Sequence, residues 1–249
     1  MKAQFRSELL KLRSARTGLG LFATMLGLVL LAVLLHGFGV AAENVDSSAE
    51  QLTMLFGRGE FLGALFAALL GALSITSEFR HGTIRPTLLV SPSRSRVVAA
   101  KIWASMLIGG GLGLVACLLA AAVGTTALRI RGIDVELDAG DYALLLAGGT
   151  VAAGLWAAIG VGLGAIVRDQ VPTLIGICAW LFFVEGLLIG DIGGVAEVGK
   201  FAPGAAAAAI SGQDPETLLA PGIALVLLAL YAAAAATAGS LATLRRDVA

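Results

Sequence analysis

The sequence predicts an all-α integral membrane protein with six transmembrane helices. Of its 249 residues, 58% are apolar, only 14% are charged, and a further 33 are glycine. A soluble domain has about 45–50% apolar residues with glycine included, and about 25% charged residues. Six long apolar runs account for the excess. This composition argues against a soluble enzyme, a coiled coil and a disordered chain.

Residues 1–17 precede the first apolar run and carry five basic side chains. Phe5, Leu9 and Leu12 follow the spacing i, i+4, i+7, which places them on one face of a helix. Such a segment is typical of a helix that lies in the membrane interface, with its basic residues toward anionic lipid. A basic flank that only sets the topology is the alternative.

A transmembrane helix needs about 20 apolar residues. Runs of this kind occupy about 18–40, 60–77, 102–128, 142–167, 172–190 and 218–244. The first run is longer than the apolar core of a signal peptide, so we expect it to be retained. The second run is short but can be extended at both ends, and residues 168–171 predict a tight turn between the fourth and fifth helices. We therefore expect a single transmembrane domain over 1–249.

Basic residues are distributed unevenly between the two faces. The segments that share the side of the N-terminus contain 13 Lys and Arg residues, and the segments opposite contain 4. By the positive-inside rule both termini are predicted to be cytoplasmic. The chain as a whole has 17 basic and 17 acidic residues, which argues against a nucleic-acid partner.

The loop over 78–101 is longer than the 2–8 residues that join neighbouring helices in a bundle. Gly82 permits a sharp turn, Thr83 can cap a short helix, and Pro86 is tolerated in its first turn. Ser91 and Pro92 are suited to start the next helix. The pattern predicts a short amphipathic helix presented to a cytoplasmic partner. A solvated basic loop is the alternative.

This loop resembles the signature of the ABC-2 type transporter permeases, the membrane subunits of many bacterial ATP-binding-cassette exporters. That signature has an acidic residue and an arginine before Gly-Thr, then a leucine-rich segment, then Pro-x-Arg and a lysine. The matching residues here are Glu78, Arg80, Gly82, Thr83, Leu88, Leu89, Pro92, Arg94 and Lys101. The basic N-terminal helix, the six spans and the tight turn after the fourth span are similar to the family as well, so the resemblance covers essentially the whole chain.

The resemblance implies that residues 83–90 form a coupling helix, which docks in a cleft of a separate ATP-binding subunit. Glu78, Arg80 and Arg94 would hold its hinges through charge pairs at the membrane edge. The residues expected to couple to that subunit are Glu78, Arg80, Gly82, Thr83, Ile84, Arg85, Pro86, Leu88, Leu89, Pro92 and Arg94.

The resemblance also implies the partners and the location. Two ATP-binding subunits would hold ATP and Mg²⁺, so no cofactor is expected on this chain. A second permease, expected to be another copy of this chain, would complete the path in the lipid bilayer of a bacterial plasma membrane. The exported substrate would be amphipathic: a drug, a peptide antibiotic or a lipid.

A possible nucleotide motif on this chain does not hold. Residues 194–200 fit the first seven positions of G-x-x-x-x-G-K-[ST], but Phe201 replaces the hydroxyl residue that would bind Mg²⁺. Cys117 and Cys178 lie in apolar runs and have no metal-ligand spacing. The chain is therefore predicted not to be an enzyme and not to hold a metal.

Glu185 lies inside the fifth apolar run, where an ionisable residue is a functional candidate by default. It would line the translocation path, or it would be hydrogen-bonded to a neighbouring helix. Two glycine pairs, Gly109/Gly113 and Gly160/Gly164, have the spacing that permits close helix contact. Residues 201–210 could form a short re-entrant helix covered by protein.

Three other classes of protein are alternatives to a permease subunit. An ion-coupled secondary transporter should carry several charges within its spans, and an intramembrane protease needs a catalytic set there. His36 and His81 have no such partners in the sequence. A non-transporting anchor or signalling subunit of an ATP-binding-cassette complex stays open.

Overall fold

A computed structural model describes residues 2–14, 16–40, 47–82, 94–189, 196–214 and 216–245. Within these residues the chain forms helices and turns, and six of the helical stretches are long and apolar enough to cross a membrane. The predicted all-α membrane class with six spans is confirmed. The helices are α1 Lys2–Ser14, α2 Arg16–Leu35, α3 Ser48–Gln51, α4 Gly57–Arg80, α5 Arg94–Ile130, α6 Ala139–Val167, α7 Gln170–Ala179, α8 Glu185–Ile189, α9 Ala196–Gly199, α10 Pro203–Ile210 and α11 Pro221–Arg245.

Several helices begin at side-chain caps that satisfy their free backbone N–H groups. At the start of α6 the Asp138 side chain accepts from the backbone N–H of Asp141 at 2.9 Å. The Asp141 side chain in turn accepts from the backbone N–H of Asp138 at 3.1 Å. Asp169 accepts from the backbone N–H of Val171 at the start of α7. Arg168, with a left-handed φ of 61°, ends α6. Only two residues therefore separate α6 from α7.

Helices α4 and α6 form the centre of the bundle, and small residues bring them into backbone contact. A Cβ added to Gly71 would lie 2.1 Å from the carbonyl oxygen of Ala157, and one added to Gly160 would lie 2.0 Å from that of Ala68. On α5, a Cβ added to Gly109 would lie 2.7 Å from the Cβ of Ala157, and one added to Gly113 would lie 2.5 Å from the Cβ of Ala153, both on α6. The glycine pairs in the sequence therefore lie at helix contacts, as their spacing indicates.

In the outer spans Thr17–Gly39, Gln170–Leu188 and Pro221–Thr243, only about a fifth of the residues are buried, and many large apolar side chains are exposed. Leu31, Phe183 and Leu230 are among the large apolar residues that face away from the protein. In water such a surface would be unstable, whereas lipid tails or a second membrane protein cover it at no cost.

The second span begins earlier than the sequence suggests. We expected an outer loop over 41–60 and a span over about 60–77, but the chain is helical from Ser48, with a π-helical turn at Leu52–Phe56, and α4 continues to Arg80. The sequence does not show this start because the first turns contain polar residues, whose side chains form hydrogen bonds inside the protein. The Gln51 side chain donates to the carbonyl of Asp134 at 2.9 Å and accepts from the backbone N–H of Glu136 at 3.1 Å.

Helix α10 lies beside the long helices rather than beyond their ends. The backbone of Ile210 contacts Gly148, nine residues into α6, and the Tyr231 hydroxyl, ten residues into α11, donates to the carbonyl of Phe201 at 3.1 Å. At 1.5 Å per residue both contacts lie about 15 Å along their helices. The protein covers α10, since Ala205, Ala206, Ala207, Ala209 and Ile210 are buried.

Candidate functional site

A buried lysine lies between α4 and α5 at the end of the bundle that also carries α1. Lys101 Nζ contacts Glu8 Oε2 at 2.5 Å and Glu78 Oε1 at 3.1 Å, and it donates to the backbone carbonyl of Ser74 at 3.0 Å. Lys101 is 2% exposed, Glu8 3% and Glu78 7%. Three donor protons of the ammonium group therefore meet three acceptors in a nearly dry environment.

Lys11 completes an alternating arrangement of two cations and two anions. Its Nζ contacts Glu8 Oε1 at 2.8 Å and Glu78 Oε1 at 3.0 Å. We call Glu8, Lys11, Glu78 and Lys101 the charge cluster. Taking charges out of water costs several kcal/mol per ion unless partners surround them, and here each charge has two opposite neighbours.

The electrostatics of α1 reflect this arrangement. Burial alone would raise the pKa of Glu8, but the charge of Lys101 and the hydrogen bonds from Lys101 and Lys11 outweigh it and hold that pKa below its usual value. Burial lowers and the two glutamates raise the pKa of Lys11, with a net rise. Both groups are therefore held in their charged forms.

The charge cluster joins three helices, two of which flank residues 83–93. Glu8 and Lys11 lie on α1, Glu78 lies near the end of α4, and Lys101 lies near the start of α5. The ends of α4 and α5 are the two ends of residues 83–93. A displacement of those residues that separates α4 from α5 must break or stretch the contacts of Lys101.

The structure describes some of the predicted coupling residues. Glu78 is in the charge cluster, Arg80 donates to the Gln170 side chain at 3.4 Å on the surface, and Gly82 has a φ of 66° in a turn. Arg94 is the first residue of α5. The predicted helix over 83–90 lies outside the described residues, as do Thr83, Ile84, Arg85, Pro86, Leu88, Leu89 and Pro92. The coupling roles of all these residues stay predictions.

Arg168 ties further helix ends to this end of the bundle. Its guanidinium lies 5.3 Å from the ring centroid of Phe79 on α4 and donates to the carbonyl of Ala242 on α11 at 2.7 Å. The sequence predicts only a tight turn over residues 168–171 and no partner for Arg168. Arg168 has a left-handed φ of 61°, and its side chain contacts both α4 and α11.

Sequence reasoning also missed the pairing of Glu8 with Lys101. Phe5, Leu9 and Leu12 form the predicted stripe and are half-buried, and Leu12 packs against the core. Glu8 follows Phe5 by three residues and precedes Leu12 by four, so it lies on the same face. The position of Glu8, an acidic residue on the apolar face of a basic helix, indicates a buried cationic partner.

A second polar region lies farther along α4. Glu185 is buried, and its Oε1 accepts from the Trp180 indole at 2.6 Å and from the backbone N–H of Gly204 at 2.8 Å. Glu60 Oε2 accepts from the Gln213 side chain at 3.1 Å. Both glutamates line one cavity of about 290 Å³, which we call the polar cavity. The predicted role of Glu185 in a translocation path stays a prediction.

Chemistry at a metal centre finds no support in the described part of the chain. No group of three or more His, Cys, Asp or Glu residues there could hold a metal ion. Cys117 is buried and unpaired with a second cysteine, as is the half-buried Cys178.

These features define a class: a helical membrane protein of six spans with a buried ionic cluster at one end. A model of a family described as "ABC-2 family transporter protein" matches residues 5–203. The chain belongs to this family, which confirms the resemblance of its sequence. Proteins of this family are permease subunits that generally work with ATP-binding subunits and are generally non-enzymatic membrane components. A search of the curated proteins found no match.

Proposed function

We propose that this chain is the permease subunit of an ATP-driven exporter, and that the charge cluster passes the movement of ATP-binding subunits to the spans. Residues 83–90 form the coupling helix, and both termini lie in the cytoplasm. One observation carries the proposal: the cluster clamps α1, α4 and α5 together at the two ends of the segment with the coupling signature.

The proposed mechanism is mechanical. Closure of two ATP-binding subunits around nucleotide pushes on residues 83–90. Because Lys101 holds α5 to both α1 and α4, these three helices move as one unit. Helix α4 also carries Glu60, which lies 18 residues before Glu78, or about 27 Å along the helix. Movement at the cluster therefore reaches the polar cavity through one continuous helix.

The remaining parts of the complex follow from the family and the surface. ATP and Mg²⁺ bind the partner subunits, so this chain supplies no cofactor site. The exposed apolar faces of α2, α7 and α11 support contact with lipid and with a second copy of the chain. The family supports an amphipathic substrate.

The test compares ATP hydrolysis by the purified complex with and without the permease, in lipid nanodiscs. Glu78→Gln removes one anion of the cluster and keeps the shape of the side chain. We expect it to lower permease-stimulated hydrolysis at least fivefold. Arg129→Gln, an exposed change in the last turn of α5, is the control and should have no effect. Equal stimulation by both variants would contradict the coupling role.

Ion-coupled transport is a second candidate, favoured by one observation. Glu60 is buried inside a span and lines the same cavity as Glu185, so this cavity within the spans is lined by two buried glutamates rather than one. Uptake of ethidium into inverted vesicles separates the two candidates. Uptake that needs ATP and persists when an ionophore collapses ion gradients supports the exporter. The reverse result supports ion coupling.

A further inference from the structure

The polar cavity has a lining of two distinct kinds. Four helical elements surround it: α4, α6, the α7–α8 span and α10. Apolar and aromatic residues form one part of the wall, and Glu60, Glu185, Asp214 and Arg58 form the charged part. Acidic residues therefore outnumber basic ones by three to one.

The two buried carboxylates have unused acceptor capacity. Glu60 is 3% exposed and accepts one hydrogen bond, from Gln213 to its Oε2. Both hydrogen bonds to Glu185 reach Oε1. Neither Glu60 nor Glu185 forms an ion pair with a described residue. A buried carboxylate without a cation is costly, which favours a cationic ligand.

The one basic side chain in the wall does not neutralise them. Arg58 lies two residues before Glu60 on α4, and residues at this spacing point in different directions on a helix. Its Nε donates to the backbone carbonyl of Met54 at 3.1 Å. No cation of the described chain therefore contacts either carboxyl group in the cavity.

Trp156 supplies a separate indication of a ligand. It lines the cavity, is 2% exposed, and its indole N–H reaches no acceptor among the described residues. Most buried polar groups have a hydrogen-bond partner, and the π face of a bound aromatic ring could accept this N–H. Phe61, packed edge-on against Phe182 at 5.4 Å, adds an aromatic wall. Aromatic faces attract cations as well as apolar groups.

We infer that the polar cavity binds the cationic amine end of an amphipathic molecule. Glu60 and Glu185 face the ammonium group, and Trp156 and Phe61 pack on the adjoining apolar part. The inference deepens the proposed function, on which it rests, by assigning the substrate a positive charge. A volume of about 290 Å³ is near the lower limit for ligand pockets, so the cavity takes an amine with one ring rather than a whole peptide.

The experiment measures binding of 4-phenylbutylamine to the full-length permease in lipid nanodiscs by titration calorimetry at pH 7. The probe is an amine that carries its proton at this pH. 4-Phenylbutanol serves as the neutral probe of the same length, and empty nanodiscs correct for partition into lipid. We expect one saturable site for the amine and binding of the alcohol that is at least tenfold weaker.

Three variants locate the site. Glu60→Gln and Glu185→Gln keep the side-chain shape and should each weaken amine binding at least tenfold. Glu136→Gln, an exposed change in the turn before α6, is the matched control and should bind as the unmodified protein does. Ala208→Leu fills the cavity without altering a charge and should also abolish binding, so the inference does not depend on the glutamine variants alone.

Several outcomes would overturn the inference. These are equal binding of amine and alcohol, absence of saturable amine binding, or full affinity in well-folded Glu60→Gln, Glu185→Gln and Ala208→Leu proteins. Because the titration contains no nucleotide, its failure would leave stimulation of the ATP-binding subunit intact. Loss of that stimulation with glutamate-dependent amine binding would instead refute the proposed function and keep this inference.

Discussion

Lys101 is the residue whose surroundings explain most about this end of the molecule. Its ammonium group meets Glu8, Glu78 and the carbonyl of Ser74, and hardly any water reaches it. A buried ion pair adds little net stability compared with apolar packing, but removing one partner leaves an uncompensated charge. The value of Lys101 is therefore positional, since it fixes how α1, α4 and α5 meet.

Removal of the Lys101 charge should be far more damaging than removal of the Lys11 charge. Lys101→Met leaves two buried carboxylates with only the partly exposed Lys11, and we expect a loss of about 3–5 kcal/mol of unfolding free energy. Lys11→Met is the matched control and should cost at most about 1 kcal/mol, because water screens this pair. Unfolding in detergent by denaturant measures both, and equal losses would contradict the geometry.

Glu8 makes the stability of the protein sensitive to acid. Its pKa in the folded protein lies below the usual 4.5, because the pull of Lys101 and Lys11 exceeds the effect of burial. The unfolded chain then binds more protons, so the contribution of Glu8 is complete above pH 4.5 and is lost as the pH falls through the folded pKa.

The measurement for Glu8 is the melting temperature between pH 7 and pH 3. The unmodified protein should lose stability below pH 4.5, and Glu8→Gln should show a flatter profile over that range. Glu50→Gln, at an exposed capping box, controls for the general effect of losing an acid. Identical profiles for Glu8→Gln and Glu50→Gln would show that Glu8 does not carry the effect.

At the scale of elements, close contact between α4 and α6 depends on glycine. An added Cβ at Gly160 would overlap the carbonyl oxygen of Ala68, whereas one at Gly27 on α2 meets nothing within 4 Å. We expect Gly160→Ala to cost about 1–3 kcal/mol through overpacking. Gly27→Ala should change stability by no more than about 1 kcal/mol. Thermal unfolding in detergent compares the two, and equal stability would contradict the packing.

The sequence predicts the number of spans but not all of their limits or their polar contacts. Six spans are predictable because the bilayer requires about 20 apolar residues for each helix that crosses it. The start of the second span is not predictable, because Gln51 and Glu60 are polar residues typical of a loop. Their hydrogen-bond partners lie on distant segments of the chain. The partners of Glu8 and Glu60 lie 93 and 153 residues away, and no local periodicity encodes them.

At the scale of the whole molecule, α4 is the central connection. It carries Glu78 in the charge cluster at one end and Glu60 in the polar cavity near the other. Its close backbone contacts with α6 restrict bending of this helix. We therefore expect a push on residues 83–90 to change the cavity, because one unbroken helix, α4, connects the charge cluster with the cavity.

The central claim is that residues 83–90 meet an ATP-binding subunit. The most direct measurement is cysteine crosslinking in membranes that contain both proteins, with Thr87→Cys in a background lacking Cys117 and Cys178. Asp134→Cys, in the turn at the opposite end of the bundle, is the control. We expect Thr87→Cys to crosslink to the ATP-binding subunit and Asp134→Cys not to do so. A crosslink from Asp134→Cys with none from Thr87→Cys would contradict it.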